Sequence, residues 1–317
     1  MNDATKSSPV IAVVGPTASG KSTLAIELAL ALNAEIINCD SVQVYRDIEI
    51  ATAKVPLSER KGVLHHLIGF VPPEVNYTAV EWAAQAISKI NEIEARGRVP
   101  FLVGGTGFYL RALRKPFFVS PKTDVDLRRR INEMREARGP EYLHRVLRRL
   151  DPRGARQLYS RDWPRIQRAI EVYLQTGRSI FEQREERPEP HESSKRLRVI
   201  ALNPPRKELY ERINHRTEEH FKTGLVDEVR NLLKRGVPPE SNALGAHGYR
   251  RVVEYLEGRR TLDNALEQTK LDVRHYAKRQ LTWFRREEGT VWFEGFGDQP
   301  DTIEQVLRSL RPSIGAK

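Results

Sequence analysis

The chain has 317 residues, 39% hydrophobic and 30% charged, with a formal net charge of +11. That length exceeds the usual single domain, so one large domain and a smaller one are expected. The sequence has no apolar run long enough to span a bilayer, and its single cysteine, Cys39, excludes an internal disulfide and a cysteine-based zinc cluster.

Met1–Pro9 is short and polar, without the apolar core of a signal peptide, so a cytoplasmic protein is expected. The basic surplus is localised. Met1–Leu113 holds 10 Lys/Arg against 11 Asp/Glu, whereas the remainder holds 43 against 31. Such a surface attracts polyphosphate backbones, although arginine-rich helices can also be plain solvated faces.

In chain order, the apolar run Val10–Val14 reads as a strand and Leu24, Leu28, Ala31 and Leu32 as a helical pattern. Between them lies Gly15-Pro16-Thr17-Ala18-Ser19-Gly20-Lys21-Ser22, a G-x-x-x-x-G-K-[ST] phosphate loop in its required strand–loop–helix context. Its backbone N–H groups form an anion nest at a helix N-terminus, Lys21 adds a mobile cation, and the Ser22 hydroxyl is placed to ligate a Mg²⁺ bridging phosphate oxygens. The loop alone leaves open which phosphates it holds.

Glu35–Ser41 reads as a second strand ending on Asp40, with Cys39 a buried strand residue. Ligands of parallel α/β sheets bind beyond the strands' carboxyl ends, so Asp40 stands beside the phosphate loop. A carboxylate next to a phosphate nest suits metal binding or proton transfer; proton transfer is favoured over simple capping of the next turn. Ala51–Pro73 is loop-like, and His65-His66 within it reads as a structural pair. Tyr77 or Thr78 opens a helix, Val80–Arg96, with Val80, Ala83, Ala84, Ile87, Ile90 and Ile93 as its buried stripe and Gly97 as its end. Val99–Val103 is a third strand. The Gly104-Gly105-Thr106-Gly107 turn after it shares the first glycine loop's end of the sheet and offers the Thr106 hydroxyl to a ligand.

From Lys122 to about Gln175 the pattern is helical and basic, with helices expected at Asp124–Arg138, Glu141–Leu150 and Trp163–Leu174. This reads as an insertion, and Phe181–Arg196 as the connection back. Leu197–Leu202 restores a strand, and helices follow at Leu209–Thr223, Leu225–Arg235 and about Thr261–Arg286. Thr290–Glu294 is a candidate last strand, followed by a frayed tail. The expected architecture is α/β, a P-loop NTPase-like parallel sheet flanked by helices. The core domain spans 1–121 and 197–317, and an all-helical insertion domain spans 122–196.

Eight stretches together resemble the tRNA dimethylallyltransferase (tRNA isopentenyltransferase, IPP transferase) family. They are Gly15–Ser22, Asp40–Arg46, Thr52–Lys54, His65–Leu67, Leu102–Arg111, Arg165–Tyr173, Gly248–Arg250 and Tyr276–Arg285, in family order over nearly the whole chain. The resemblance implies transfer of a dimethylallyl group from dimethylallyl diphosphate to the N6 amine of the adenine beside the anticodon of a tRNA. It makes Asp40 the general base, sets Thr106 where the two substrates meet, has Arg216 help hold the diphosphate, and sets Lys21 and Mg²⁺ to neutralise the leaving group. It assigns RNA contact to Asp40, Ser41, Val42 and Gln43, to Thr106, and to Arg128, Pro164, Arg165, Ile166, Gln167 and Arg168 of the insertion. A monomer is expected. Departures from the family pattern are Gly69 for an aspartate, Ala51 for a glycine, Pro56 one place late and Pro164 for a glutamine. The competing readings are a small-molecule kinase using the loop on ATP, a prenyltransferase acting on free AMP, and a non-catalytic RNA-binding protein.

Overall fold

The computed structural model describes residues 8–117 and 121–314; the N-terminal Met1–Ser7 lies outside them. Six strands form one parallel sheet: β1 (Val10–Val14), β2 (Ala34–Asn38), β3 (His65–His66), β4 (Val99–Val103), β5 (Leu197–Asn203) and β6 (Thr290–Glu294), in spatial order β3-β2-β4-β1-β5-β6. Strands β1, β2 and β4 are buried along their whole length, as strands are when helices cover both faces of a parallel sheet. One side of the core gathers Ile11, Val13, Leu24, Leu28, Phe101 and Leu202. Among the described residues, no helix is long and apolar enough to cross a membrane.

The chain separates into two compact units, Met1–Arg114 with His191–Lys317, and Lys115–Pro190. The second unit is helical, with helices Val125–Arg138, Pro140–Leu150, Pro152–Ala155, Trp163–Thr176 and Ile180–Gln183 around Ile131, Leu143, Leu147, Ile166 and Ile170.

Several local expectations change. The segment read as a loop contains β3, an edge strand of two residues that pairs with Ile36 and Ile37. His65 and His66 do serve structure. His65 Nδ1 lies 2.9 Å from the Val63 carbonyl, and His66 Nε2 lies 2.6 Å from Glu35 Oε2. Glu35 is fully buried and also accepts from Arg96 at 3.0 and 2.6 Å. The helix Ala79–Ala95 starts on a Thr78–Glu81 capping box, but its buried stripe is Ala79, Trp82, Ala83, Ala86, Ile90 and Ile93. Val80 and Ala84 face solvent because the large Trp82 sets the phase. The tail read as frayed is the helix Pro300–Ile314, which buries Val306 and Leu310 in the sheet's core. A helix at Tyr249–Leu256, not assigned from sequence, buries Tyr249, Val252 and Val253.

Candidate active site

The phosphate loop leaves β1 and enters the helix Lys21–Ala31 through Gly20, whose φ of 81° is a left-handed value open to glycine. Lys21 Nζ donates to the Pro16 carbonyl at 2.6 Å, which folds the lysine back over the loop. Thr17 is held twice. Its N–H donates to Gln280 Oε1 at 2.8 Å, and its hydroxyl accepts from Arg216 Nη2. Ser19 Oγ is buried and has no hydrogen-bond partner among the described residues. Burial lowers Lys21 to about 8, against the opposing pull of the Asp40 charge, and lowers Arg216 to about 10 in the same way. Both remain cationic at neutral pH. Burial, aided by Arg216, depresses His220 to about 4, so this wall contributes a neutral imidazole.

Asp40 lies two residues beyond β2, held from both sides. Its N–H donates to Asn38 Oδ1 at 3.1 Å, and Asn38 Nδ2 donates to the Asp40 and Leu67 carbonyls, each at 3.0 Å. Its Oδ1 accepts from the Val42 N–H at 2.9 Å and the Gln43 N–H at 3.4 Å. One carboxylate oxygen therefore caps a turn, and Oδ2 has no partner among the described residues. Capping of the next turn, the alternative to proton transfer, occupies only that one oxygen.

The Gly104–Gly107 turn is fastened to this segment. The Cys39 N–H donates to Val103 at 2.8 Å and the Thr106 N–H to the Cys39 carbonyl at 3.2 Å. Thr106 Oγ1 accepts from the Ser41 N–H at 3.0 Å and donates to Ser41 Oγ at 3.3 Å. A Cβ on Gly104 would lie 2.1 Å from the Cys39 carbonyl oxygen, so glycine is what lets the two backbones meet. Gln43 turns its amide toward a neighbouring loop, donating to the Thr52 carbonyl at 3.0 Å.

Two cavities meet here. One, of about 230 Å³, is lined by the phosphate loop from Thr17 through Ser22; the other, of about 690 Å³, is lined by Ser41, Val42, Tyr45, Thr106, Tyr109 and Asn242 among others. Thr17, Asp40, Thr52, Arg216 and Tyr276 line both. The smaller, with its nest and cations, suits a polyphosphate. The larger, with aromatic and amide walls, has room for a nucleoside. Asp40, Thr106, Lys21 and Arg216 are therefore brought together in one unit. Burial first, then the Asp40 charge, pushes the Tyr276 phenol up, so it stays neutral in the wall.

Tyr276 and Gln280 received no individual role from the sequence. Both come from the helix Leu262–Phe284, and their spacing of four sets them on one face. That spacing is the signal by which they could have been found.

In the helical unit, Pro164 occupies the first turn of the helix Trp163–Thr176, where a missing N–H costs nothing. Arg165 is exposed and pairs with Asp162 at 3.1 Å. Arg128 and Arg168 both bind the fully buried Glu171, Arg128 by two bonds of 2.7 and 2.8 Å and Arg168 by one of 3.1 Å; Arg168 also donates to the Pro121 carbonyl at 2.7 Å. Expectations for two neighbours need correction. Ile166 is fully buried and Gln167 is 5% exposed, so their side chains pack the unit's interior instead of facing a ligand.

No group of three or more His, Cys, Asp or Glu among the described residues could hold a metal ion. The Ser22 hydroxyl lines the smaller cavity beside Lys21 and Asp40. This fits a Mg²⁺ that takes one protein hydroxyl and draws its other ligands from substrate phosphates and water.

A parallel sheet with a glycine-rich loop after β1 leading into a helix defines an α/β protein of P-loop NTPase-like fold. Comparison with known proteins narrows this class. A family model described as IPP transferase matches residues 43–287, and one described as isopentenyl transferase matches residues 8–65. The chain is 43% identical over 307 residues to a tRNA dimethylallyltransferase of Solibacter usitatus, covering 97% of this chain and 99% of the relative. It is 43% identical over 312 residues to that of Carboxydothermus hydrogenoformans, covering 98% of each. Among solved structures, the full-length tRNA isopentenylpyrophosphate transferase of Bacillus halodurans superposes with a TM-score of 0.71 at 36% identity over 96% of both chains. A eukaryotic dimethylallyltransferase acting on tRNA gives 0.76 at 28% identity, covering 96% of this chain and 78% of that one. The chain belongs to the IPP transferase family and is a prenyltransferase.

Proposed function

We propose that this enzyme transfers a dimethylallyl group from dimethylallyl diphosphate to the exocyclic N6 amine of the adenine beside the anticodon of a tRNA, releasing diphosphate. The observation that carries the proposal is the position of Asp40, with one oxygen unpartnered among the described residues, in the wall shared by a cavity lined by the phosphate loop and a larger one. The relatives' names supply the substrate class.

In this reading the diphosphate lies in the Gly15–Ser22 nest, held by N–H groups from Ala18 onward, Lys21 and Arg216. The prenyl carbon points toward Asp40 and Thr106. The adenine, turned out of its stack, enters the larger cavity past Ser41, Val42 and Gln43. The amine lone pair is delocalised into the ring, so the nucleophile is weak. As the new C–N bond forms and the C–O bond to diphosphate breaks, the amine becomes cationic and its proton acidic. Asp40 Oδ2 then takes that proton, a task within the reach of an ordinary carboxylate. Lys21 and Arg216 stabilise the charge gathering on the departing diphosphate. A Mg²⁺ held by Ser22 and the phosphates would supply further neutralisation of that charge.

The helical unit, residues 115–190, is proposed to bind tRNA, with Arg165 its most available cation among those assigned to RNA contact. Arg128 and Arg168 contribute mainly by fixing that surface through Glu171. Side-by-side assays with dimethylallyl diphosphate on unmodified tRNA and on free AMP test the proposal. Transfer to tRNA and not to AMP is expected; preference for AMP, or phosphoryl transfer from ATP without prenylation, would overturn it.

A further inference from the structure

Gln280 stands on the helix Leu262–Phe284, outside both glycine loops, and is 4% exposed. Its amide oxygen accepts the Thr17 N–H at 2.8 Å and its amide nitrogen donates to the Gly105 carbonyl at 3.0 Å. One amide thus joins two loops that lie 263 and 175 residues from it in sequence. The fit is specific. A Cβ on Gly105 would come within 1.9 Å of Gln280 Nε2, so the amide fills the space that a side chain there would take. One turn further along the helix, Trp283 makes the same demand of Gly107, where a Cβ would lie 2.1 Å from the indole.

A primary amide offers one acceptor and one donor at a fixed separation. Glutamate would turn a second acceptor toward the Gly105 carbonyl, and methionine would satisfy neither loop. Each loop carries chemistry beyond the bond it makes. Thr17 also receives Arg216, and the Gly105 turn carries Thr106, whose hydroxyl holds the Ser41 N–H next to Asp40.

We propose that Gln280 is a positioning residue that locks the phosphate loop to the Thr106 turn, setting the distance between the donor's diphosphate and the groups that receive the acceptor amine. The inference rests on the function proposed above. Its weight is kinetic, because a small misplacement of reacting groups costs rate far more than it costs binding.

The test compares the wild type with Gln280→Met and Gln280→Glu. It measures the transfer rate constant at saturating dimethylallyl diphosphate and tRNA, the KM for each substrate, and a double-mutant cycle with Thr106→Ala. For Gln280→Met the saturated rate falls roughly 10- to 100-fold, while the donor KM stays within about threefold because Lys21, Arg216 and the nest from Ala18 onward remain. Gln280→Glu is at least as slow. The cycle is non-additive: Gln280→Met with Thr106→Ala is little slower than the slower single variant. A wild-type rate per folded molecule in Gln280→Met, or rate losses that multiply in the double variant, overturns the assignment. Should Gln280→Met fail to fold, Gln280→Glu in the same cycle gives the same decision. Failure of the wild type itself to prenylate tRNA is a different result, and it overturns the proposed function together with this inference.

Discussion

Replacing Asp40 with asparagine separates the two jobs its carboxylate is assigned. Oδ1 accepts from the Val42 and Gln43 N–H groups at 2.9 and 3.4 Å, and an asparagine carbonyl can keep both bonds. The other oxygen becomes an NH₂ group, which cannot accept a proton. Loss of a positioned base costs roughly 10²- to 10⁴-fold in rate, or about 3–5 kcal/mol on the barrier. A second effect is electrostatic. Asp40 opposes the burial that lowers Lys21 and Arg216, so its neutralisation drops Lys21 further below about 8 and weakens donor binding most at alkaline pH. Asp40→Ala removes the turn cap as well and should cost about 1 kcal/mol of stability beyond Asp40→Asn. The assay is single-turnover transfer of labelled dimethylallyl to tRNA, paired with tRNA affinity and a denaturant melt. Turnover of Asp40→Asn falls at least about 100-fold, with tRNA affinity and the melt nearly unchanged. Retention of more than about a tenth of the wild-type saturated rate, or a loss confined to tRNA affinity, would refute the base assignment.

Arg165 and Arg168 should part company. Arg165→Ala, which among the described residues gives up only the pair of this exposed arginine with Asp162, weakens tRNA binding and lowers the salt slope by about 1 without moving the melt. Arg168→Ala leaves the buried Glu171 with Arg128 alone among the described residues and destabilises the helical unit by about 1–3 kcal/mol in a urea titration. Donor kcat/KM should decline as pH rises through about 8, where Lys21 loses its proton, and Lys21→Arg should move that decline to higher pH in a pH–rate series. Because the folded-state value lies below the ordinary lysine range, charged Lys21 also destabilises the ligand-free fold below about pH 8; that penalty is relieved as pH climbs toward 10.5. Gly104→Ala should cost about 3 kcal/mol or more, read by thermal melting, because its Cβ meets backbone at Cys39 and Asp40 that has nowhere to move.

The parts of the site legible in the sequence are those whose chemistry is local. The phosphate loop, Asp40 past an apolar strand and Thr106 in a second glycine turn each sit in a short stretch whose pattern dictates its geometry. Arg216 came only from resemblance, since nothing near it in sequence shows that it reaches Thr17. The Gln280 amide was harder still, because its two partners lie in loops far away along the chain. Ile303, Val306, Leu307 and Leu310 have helical spacing and pack on the sheet's core, yet their position at the end of the chain favoured a frayed tail. The two residues of β3 are too few for any period to register, and Glu35, buried and bonded to His66 and Arg96, looks in the sequence like an ordinary polar break in a strand. For Ile166 and Gln167, membership in a family stretch outweighed the simpler question of which helix face was apolar.

The most direct test of the central claim is mass spectrometry of anticodon-loop nucleosides after the enzyme is incubated with unmodified tRNA, dimethylallyl diphosphate and Mg²⁺. The account predicts an adenosine beside the anticodon carrying one dimethylallyl group in place of an N6 hydrogen, with one diphosphate released per modification and neither product formed by Asp40→Asn on the same timescale. An unmodified adenosine with the wild-type enzyme, or prenylation that persists undiminished in Asp40→Asn, would contradict it.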